Sequence, residues 1–294
     1  MIVQPEITRV ATILVCGAGA MGRQIGMVCA LGGYSVTVWD IDPDMLEQAR
    51  EELRSRMDRR VEKGTETRAQ ADSAFERLTF TTELEGPAST ADYVIEAVVE
   101  KVDVKRDLFA RLDRHAPEHA VLATNSSTIV SSRVADATNR PDRVCNMHFF
   151  NPALVMQCVE VVRNPQTSDA TAETTIELTR RINRTPVVLN KEITGFVANR
   201  ILHALRDEAI RLYEDGVSSV EDIDTACRTA LGHPMGPFEL QDLTGLDVGY
   251  YVKMARFEES GDPADKPARI LVEKFEKGEF GRKSGKGWYD YPKK

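Results

Sequence analysis

Three glycines with a fixed spacing follow a run of apolar residues near the start of the chain. They form the sequence GxGxxG between a predicted strand and a predicted helix. The first glycine permits a tight turn, the second lets the backbone approach a diphosphate, and the third lets the helix pack on the strand. The amino end of that helix offers free N–H groups and a positive dipole to phosphate oxygens. The pattern predicts a dinucleotide site whose loop residues are Gly17, Gly19, Ala20, Met21 and Gly22.

An acidic residue ends the second predicted strand and completes this pattern. Asp40 lies 23 residues after Gly17, where a carboxylate accepts hydrogen bonds from ribose hydroxyls and repels a 2′-phosphate. No arginine follows it in Ile41-Asp42-Pro43. We therefore predict NAD(H) as the cofactor rather than NADP(H). Two alternatives are a glycine turn required only for packing and a flavin site, for which the chain has no second signature.

A histidine and a glutamate form a second candidate pair. His148 ends a predicted strand, and Glu160 can lie beside it if the chain re-enters the sheet after a loop. A histidine held by a carboxylate can act as a general acid and base, because the carboxylate fixes the tautomer and stabilises the imidazolium. Ser127 follows another predicted strand, at the sheet edge where ligands bind. The alternative for His148 is a histidine that is merely packed in the core.

The elements that must position these residues alternate between strands and helices. The chain has 294 residues, of which 42% are hydrophobic, and this is enough apolar material for about two domains. Strands are predicted at residues 10–16, 34–40, 78–81, 93–97, 120–124 and 144–149. Strand signals then disappear from about residue 194, and helices are predicted at 195–216, 220–231, 240–256 and 267–277. We predict a Rossmann-type α/β domain with a parallel sheet over residues 1–190 and an all-α domain over residues 191–294.

Charge and cysteine content exclude several classes of protein. The net charge of −8 disfavours nucleic acid and anionic membranes as partners, so an anionic ligand requires a local positive site. The five scattered cysteines are typical of reduced thiols rather than a disulfide framework. No metal site is predicted, because Pro117 interrupts the helix between His115 and His119. Glu6 argues against a signal peptide, and no apolar stretch approaches the ~20 residues of a membrane span, so we expect a cytoplasmic protein.

Seven stretches in one order make the sequence recognisable. It resembles the short-chain L-3-hydroxyacyl-CoA dehydrogenases, including the bacterial 3-hydroxybutyryl-CoA dehydrogenases, over nearly its whole length. The combination of HFFNP with PMGPFEL is specific to that family. The matching stretches are GAGAMG (17–22), VIEAVVEKVDVK (94–105), TNSST (124–128), MHFFNP (147–152), GFVANR (195–200), HPMGPFELQDLTGLD (233–247) and GRKSGKGWYDY (281–291).

The resemblance implies an activity and a role for each matching residue. The enzyme would interconvert a (3S)-3-hydroxyacyl-CoA and a 3-oxoacyl-CoA in fatty-acid or short-chain acyl-CoA metabolism, as a homodimer joined through its helical domain. His148 would be the general base and Glu160 its orienting partner. Ser127 and Asn199 would bind the reacting oxygen and the acyl-CoA, and Asn125 would line the substrate side. The remaining cofactor-facing residues would be Glu100, Lys105, Asn151 and Lys283.

Departures from the family pattern leave the substrate open. Thr194 replaces the usual proline before GF, and residues 153–157 (ALVMQ) replace the common PVM with a lysine shortly after. This loop borders the acyl pocket, so a free hydroxy acid, as used by gulonate and carnitine dehydrogenases, is an alternative substrate. A further alternative is a non-catalytic NAD-binding structural or sensor protein.

Overall fold

The chain divides into two compact units. The computed structural model describes residues 9–292, apart from the side chain of Glu259, so Glu6 lies outside the described residues. The first unit ends at Phe196 and the second begins at Val197. The boundary predicted after residue 190 stays a prediction. Within the described range, no helix is long and apolar enough to cross a membrane.

An eight-stranded sheet forms the centre of the first unit. Its strands are β1 (Thr12–Cys16), β2 (Ser35–Trp39), β3 (Leu78–Thr81), β4 (Tyr93–Glu96), β5 (Val121–Thr124), β6 (Val144–Phe149), β7 (Cys158–Arg163) and β8 (Thr185–Leu189). They are ordered β3-β2-β1-β4-β5-β6-β7-β8. All neighbouring strands are parallel except β6 and β7, which are antiparallel. The six predicted strands are confirmed, and β7 is the expected re-entry of the chain into the sheet. β8 was not predicted, and the antiparallel pair is the one departure from the predicted parallel sheet among the described strands.

Helices cover both faces of this sheet. They are α1 (Gly22–Leu31), α2 (Pro43–Glu62), α3 (Arg68–Glu76), α4 (Glu85–Thr90), α5 (Val102–His115), α6 (Ser132–Ala135) and α7 (Asp169–Arg181). One apolar core joins the sheet to α1, α2, α3 and α7, and a second core joins it to α4, α5 and α6. Strands buried on both faces read as continuous apolar runs, which is why the sequence identifies them. The predicted α/β fold class is confirmed.

Among its described residues, the second unit has helices and no β-strand, as predicted, and its last segment contains only isolated β-bridges at Gly281, Lys286 and Asp290. Its helices are α8 (Ala198–Glu214), α9 (Val220–Ala230), α10 (Pro237–Thr244), α11 (Leu246–Ser260) and α12 (Arg269–Glu276). The prediction of one helix over residues 240–256 is wrong, because the backbone of Gly245 has φ +99° and separates α10 from α11. A glycine adopts that conformation without the steric cost of a side chain.

Two buried carboxylates attach the C-terminal segment to these helices. Asp242 accepts hydrogen bonds from the backbone N–H groups of Trp288 (2.8 Å) and Tyr289 (2.9 Å) and from the hydroxyl of Tyr291 (3.0 Å). Asp224 accepts one from the hydroxyl of Tyr289 at 2.9 Å. Buried acceptors require such donors, so the aromatic segment near the end of the chain is a structural part of the second unit.

Burial of His203 in α8 generates a prediction about acid stability. Burial and the charges of Arg256 and Arg206 lower the pKa of His203 to about 4, although Asp207 opposes them. The folded state therefore favours the neutral ring. The contribution of His203 to the free energy of unfolding is fully present above pH ~6.5 and is lost as the pH falls towards 4. We expect the urea-unfolding free energy of the wild type to fall more between pH 7 and pH 5 than that of His203→Gln. Equal losses in the two proteins would contradict this assignment.

Candidate active site

The predicted histidine–glutamate pair lies on the antiparallel strands β6 and β7. His148 on β6 and Glu160 on β7 are directly opposite in register. His148 Nδ1 and Glu160 Oε2 are 2.9 Å apart, and both side chains are buried. An ionised carboxylate only accepts, so Nδ1 donates, and Nε2 is the nitrogen that can exchange a proton with a ligand. The arrangement has the geometry of a general acid–base pair.

Two aromatic rings contact the imidazole of His148. The ring of Phe150 lies edge-on with a centroid separation of 4.7 Å, and that of Phe196 is tilted at 5.3 Å. Phe196 is fully buried, while Phe150 is half-buried. The imidazole is therefore held by one polar and two apolar contacts in a largely dry environment, where hydrogen bonds to charged groups are strengthened.

The glycine loop joins the carboxyl end of β1 to α1. Gly17 has φ +108°, and a Cβ on Gly22 would lie 1.8 Å from the carbonyl oxygen of Gly17, so neither position accommodates a side chain. The backbone N–H of Ala18 donates to Asp40 Oδ2 at 2.7 Å. Asp40 therefore supports the loop directly, a contact that the sequence analysis did not predict.

A cavity of about 560 Å³ opens beside this loop. Gly17, Gly19 and Asp40 line it on the glycine-loop side, and Val98 and Val104 contribute apolar surface. An apolar cleft with a few convergent polar groups is the usual form of a cofactor site. Ala20 and Met21 continue the loop into α1, and Met21 is its N-cap.

A buried ion pair lies next to the cavity. Lys105 Nζ is 2.6 Å from Glu96 Oε1 and 3.1 Å from Glu100 Oε2. Glu96 also accepts hydrogen bonds from the Val98 N–H at 2.8 Å and from the Thr124 hydroxyl at 2.7 Å. Burial of a charge is tolerated when it is paired and hydrogen-bonded in this way. Glu96 is not among the residues predicted from the sequence, although a charged residue ending the apolar strand YVIE is a usable signal.

Glu100 connects the ion pair to the segment that follows β5. Burial raises the pKa of the Glu100 carboxyl, but hydrogen bonds from the hydroxyls of Ser126 and Thr128 and the charge of Lys105 outweigh it, so the pKa is lowered overall. Glu100 is therefore an anion at neutral pH, and it fixes this segment by accepting from both hydroxyls.

The other predicted site residues of the first unit, two for the substrate and Asn151 for the cofactor, follow β5 and β6. Asn125 Oδ1 accepts a hydrogen bond from the Phe149 N–H at 2.9 Å, and Ser127 is half-buried two residues further on. Asn151 is exposed just beyond β6. The carboxyl ends of β1, β4, β5 and β6 share one sheet edge, so the fold brings these residues to the edge that bears the glycine loop. Their individual roles stay predictions.

Two predicted site residues belong to the second unit. Asn199 lies in the first turn of α8, and Lys283 forms an ion pair with Asp247 at 2.6 Å between Nζ and Oδ2. The predicted contacts of Asn199 with substrate and of Lys283 with cofactor stay predictions.

Comparison with known proteins identifies close relatives along the whole chain. The family model of the 3-hydroxyacyl-CoA dehydrogenase NAD binding domain matches residues 12–193, and that of the C-terminal domain matches residues 195–291. The 3-hydroxybutyryl-CoA dehydrogenase of Mycobacterium tuberculosis is 41% identical over 278 residues, which are 94% of this chain and 97% of that protein.

Solved structures agree with this similarity. The (S)-3-hydroxybutyryl-CoA dehydrogenase from Ralstonia eutropha has a TM-score of 0.87 and 35% identity, covering 97% of this chain and 100% of that one. A diketoreductase, described as acting on dicarbonyl compounds, has a TM-score of 0.86 and 31% identity, with coverage of 97% and 100%.

The two carboxylates near the glycine loop predict cofactor selectivity. A 2′-phosphate beside Asp40 and Asp42 would meet about 1 kcal/mol of repulsion from each charge, so we expect the wild type to bind NADPH at least about tenfold more weakly than NADH. Asp40→Asn keeps an acceptor for the Ala18 N–H and should reduce the ratio of the NADPH to the NADH dissociation constant. The control Asp44→Asn, at an exposed residue, should leave that ratio unchanged. Fluorescence titration measures both dissociation constants. Equal affinities in the wild type would show that Asp40 does not select the cofactor.

Proposed function

This chain belongs to the 3-hydroxyacyl-CoA dehydrogenase family, and we propose that it interconverts a (3S)-3-hydroxyacyl-CoA and the corresponding 3-oxoacyl-CoA with NAD(H). The observation that best supports the reaction is the buried 2.9 Å hydrogen bond between His148 and Glu160. A hydroxyl that is oxidised to a ketone must release a proton, and this pair can receive it.

The residues of the first unit fit the NAD cofactor. The crowded Gly17–Gly22 turn, the amino end of α1 and the Asp40 carboxylate match a diphosphate and a ribose. NAD, when bound, supplies the acceptor for the hydride that leaves C3 of the substrate. Glu100 and Lys105 would then face the cofactor together with Asn151 and, from the second unit, Lys283.

We assign the proton to His148 and the stabilisation of its charge to Glu160. In the oxidative direction, Nε2 of His148 takes the proton of the C3 hydroxyl, and the developing imidazolium is balanced by the Glu160 carboxylate. In the reductive direction, the same nitrogen returns the proton to the C3 oxygen. Ser127 and Asn199 would hydrogen-bond the reacting oxygen and the thioester, and Asn125 would border the substrate.

A positive groove near the acyl loop supports a coenzyme A ester as substrate. Arg56 and Arg59 of α2, with Lys63 directly after the helix, line a cavity of about 340 Å³ together with Pro152 and Val155. These two residues follow the strand that holds His148. Since the chain has a net charge of −8, this is the kind of local positive site that the phosphates of coenzyme A require.

A free hydroxy acid or dicarbonyl compound is the alternative substrate class. It is favoured by the departure of residues 153–157 from the family pattern and by the similarity to a diketoreductase. NADH oxidation with acetoacetyl-CoA and with free acetoacetate separates the two classes. Activity with neither compound would support the alternative of a non-catalytic NAD-binding protein.

The proposal also covers where the enzyme acts in the cell. We place the enzyme in the cytoplasm, in fatty-acid or short-chain acyl-CoA metabolism. Subcellular fractionation tests the location, and acyl-CoA profiling of a strain without the protein tests the pathway.

We further propose a homodimer joined through the second unit. Exposed apolar side chains lie on three of its helices, namely Ile201 (65% exposed), Leu243 (50%), Val248 (49%) and Tyr251 (61%). Several large apolar side chains exposed on neighbouring stretches of one unit fit an interface better than a solvated surface. Light scattering should give twice the mass of the chain, and the double variant Ile201→Glu/Tyr251→Glu should give the mass of one chain. A wild type that is monomeric at micromolar concentration would refute the dimer.

Replacement of the proposed base tests the reaction directly. His148→Gln retains polarity and approximate size but cannot take up the C3 proton, so kcat with acetoacetyl-CoA should fall by roughly 10²–10⁴-fold. The dissociation constant of NADH should change little. A variant with more than about a tenth of wild-type turnover would exclude His148 as the base.

A further inference from the structure

Phe196 has a backbone conformation that large side chains rarely adopt. Its φ is +47°, and among the described residues the other non-glycine residue with positive φ is Asn183. Asparagine tolerates the left-handed region because its short polar side chain bonds locally, whereas phenylalanine has no such compensation. A bulky residue held there indicates strain, which proteins retain chiefly at functional sites.

The surroundings of Phe196 hold it firmly in this conformation. The ring is fully buried and packs in a small apolar cluster with Val162 and Leu189. Its backbone N–H donates to the carbonyl of Ile193 at 3.0 Å. The preceding Gly195 also has positive φ, +78°, which costs a glycine little, so the backbone strain at the end of the first unit falls on Phe196.

This strained residue contacts the imidazole of the proposed base. The Nδ1···Oε2 bond from His148 to Glu160 holds one ring atom, but a single hydrogen bond tolerates some rotation of the imidazole about its Cβ–Cγ bond. The ring of Phe196, at 5.3 Å and 57° to the imidazole plane, restricts that rotation. Phe150 also contacts the imidazole, but it is half-buried and therefore a softer support.

We infer that Phe196 is a positioning residue whose ring sets the plane of the His148 imidazole, so that Nε2 points at the C3 oxygen of the substrate. This inference rests on the proposed function of His148. Proton transfer requires close alignment of donor and acceptor, and a displacement of ~1 Å can cost about 10²-fold in rate. The backbone strain at Phe196 is then retained because it delivers the ring to this position.

Phe196→Leu removes the ring contact while keeping an apolar side chain. We expect kcat to fall about tenfold or more, with the NADH dissociation constant within about twofold of wild type. The solvent deuterium isotope effect on kcat should rise, because proton transfer becomes slower relative to the other steps. Phe196→Met, with the same readouts, is the second variant if Phe196→Leu does not fold.

Leu189→Ala is the matched control. Leu189 belongs to the same buried cluster, so its truncation weakens the packing without removing a ring from His148. Its melting temperature should fall while kcat and the isotope effect remain those of the wild type.

Either of two results would overturn the inference. One is a kcat within about twofold of wild type in the folded Phe196 variant, and the other is an equal loss of kcat and an equal isotope effect in Leu189→Ala. Failure of the proposed function has a different signature, because His148→Gln would then stay active. An inactive His148→Gln with a fully active Phe196→Leu refutes only the positioning role.

Discussion

The candidate active site depends on one reversal of strand direction. Among the described strands, β6 and β7 form the antiparallel pair, and this pairing puts His148 opposite Glu160, twelve residues further along the chain. A parallel β7 would require a long crossover and would not set these two residues in register. The loop between the two strands begins with Phe150, which contacts the same imidazole. The site is therefore built on two hydrogen-bonded strands, a more rigid support than a loop.

Charge at the site is balanced locally rather than by the net charge of the chain. Lys105 lies between Glu96 and Glu100, and all three are hydrogen-bonded or ion-paired. Desolvation makes buried charges costly unless they are paired, so removal of Lys105 would leave the buried Glu96 carboxylate without a countercharge. Because Glu96 also binds the Val98 N–H and Glu100 binds the Ser126 hydroxyl, the ion pair connects the wall of the cofactor cavity with the segment after β5.

In the second unit, buried carboxylates hold a segment of the chain in place and, among the described residues, do not pair with a lysine. Asp224 and Asp242 accept hydrogen bonds from backbone N–H groups and tyrosine hydroxyls, and they attach the segment that contains Trp288 to the helices. There is also no room for a Cβ on Gly287, where it would lie 2.0 Å from Asp242 Oδ1. The family stretch GRKSGKGWYDY is therefore explained in part by this attachment.

The sequence alone determined the features that depend on local chemistry. The GxGxxG turn, Asp40 and the apolar strands are each specified by neighbouring residues, because turn geometry and side-chain periodicity act over a few positions. It also identified both residues of the proposed acid–base pair, His148 and Glu160.

Only the tertiary structure decided how distant segments meet. Four features join residues whose separation in the chain produces no periodic pattern in the sequence. They are the antiparallel pairing of β6 with β7, the strand β8, the ion pair of Glu96 with Lys105 and the contact of Phe196 with His148. The same short apolar strand can pair with a neighbour in either direction. Its pattern of apolar residues does not indicate which strand that neighbour will be. Strand direction and the strained backbone conformation are determined by how the whole unit packs. The contacts that stabilise them form only when distant segments come together in the folded chain.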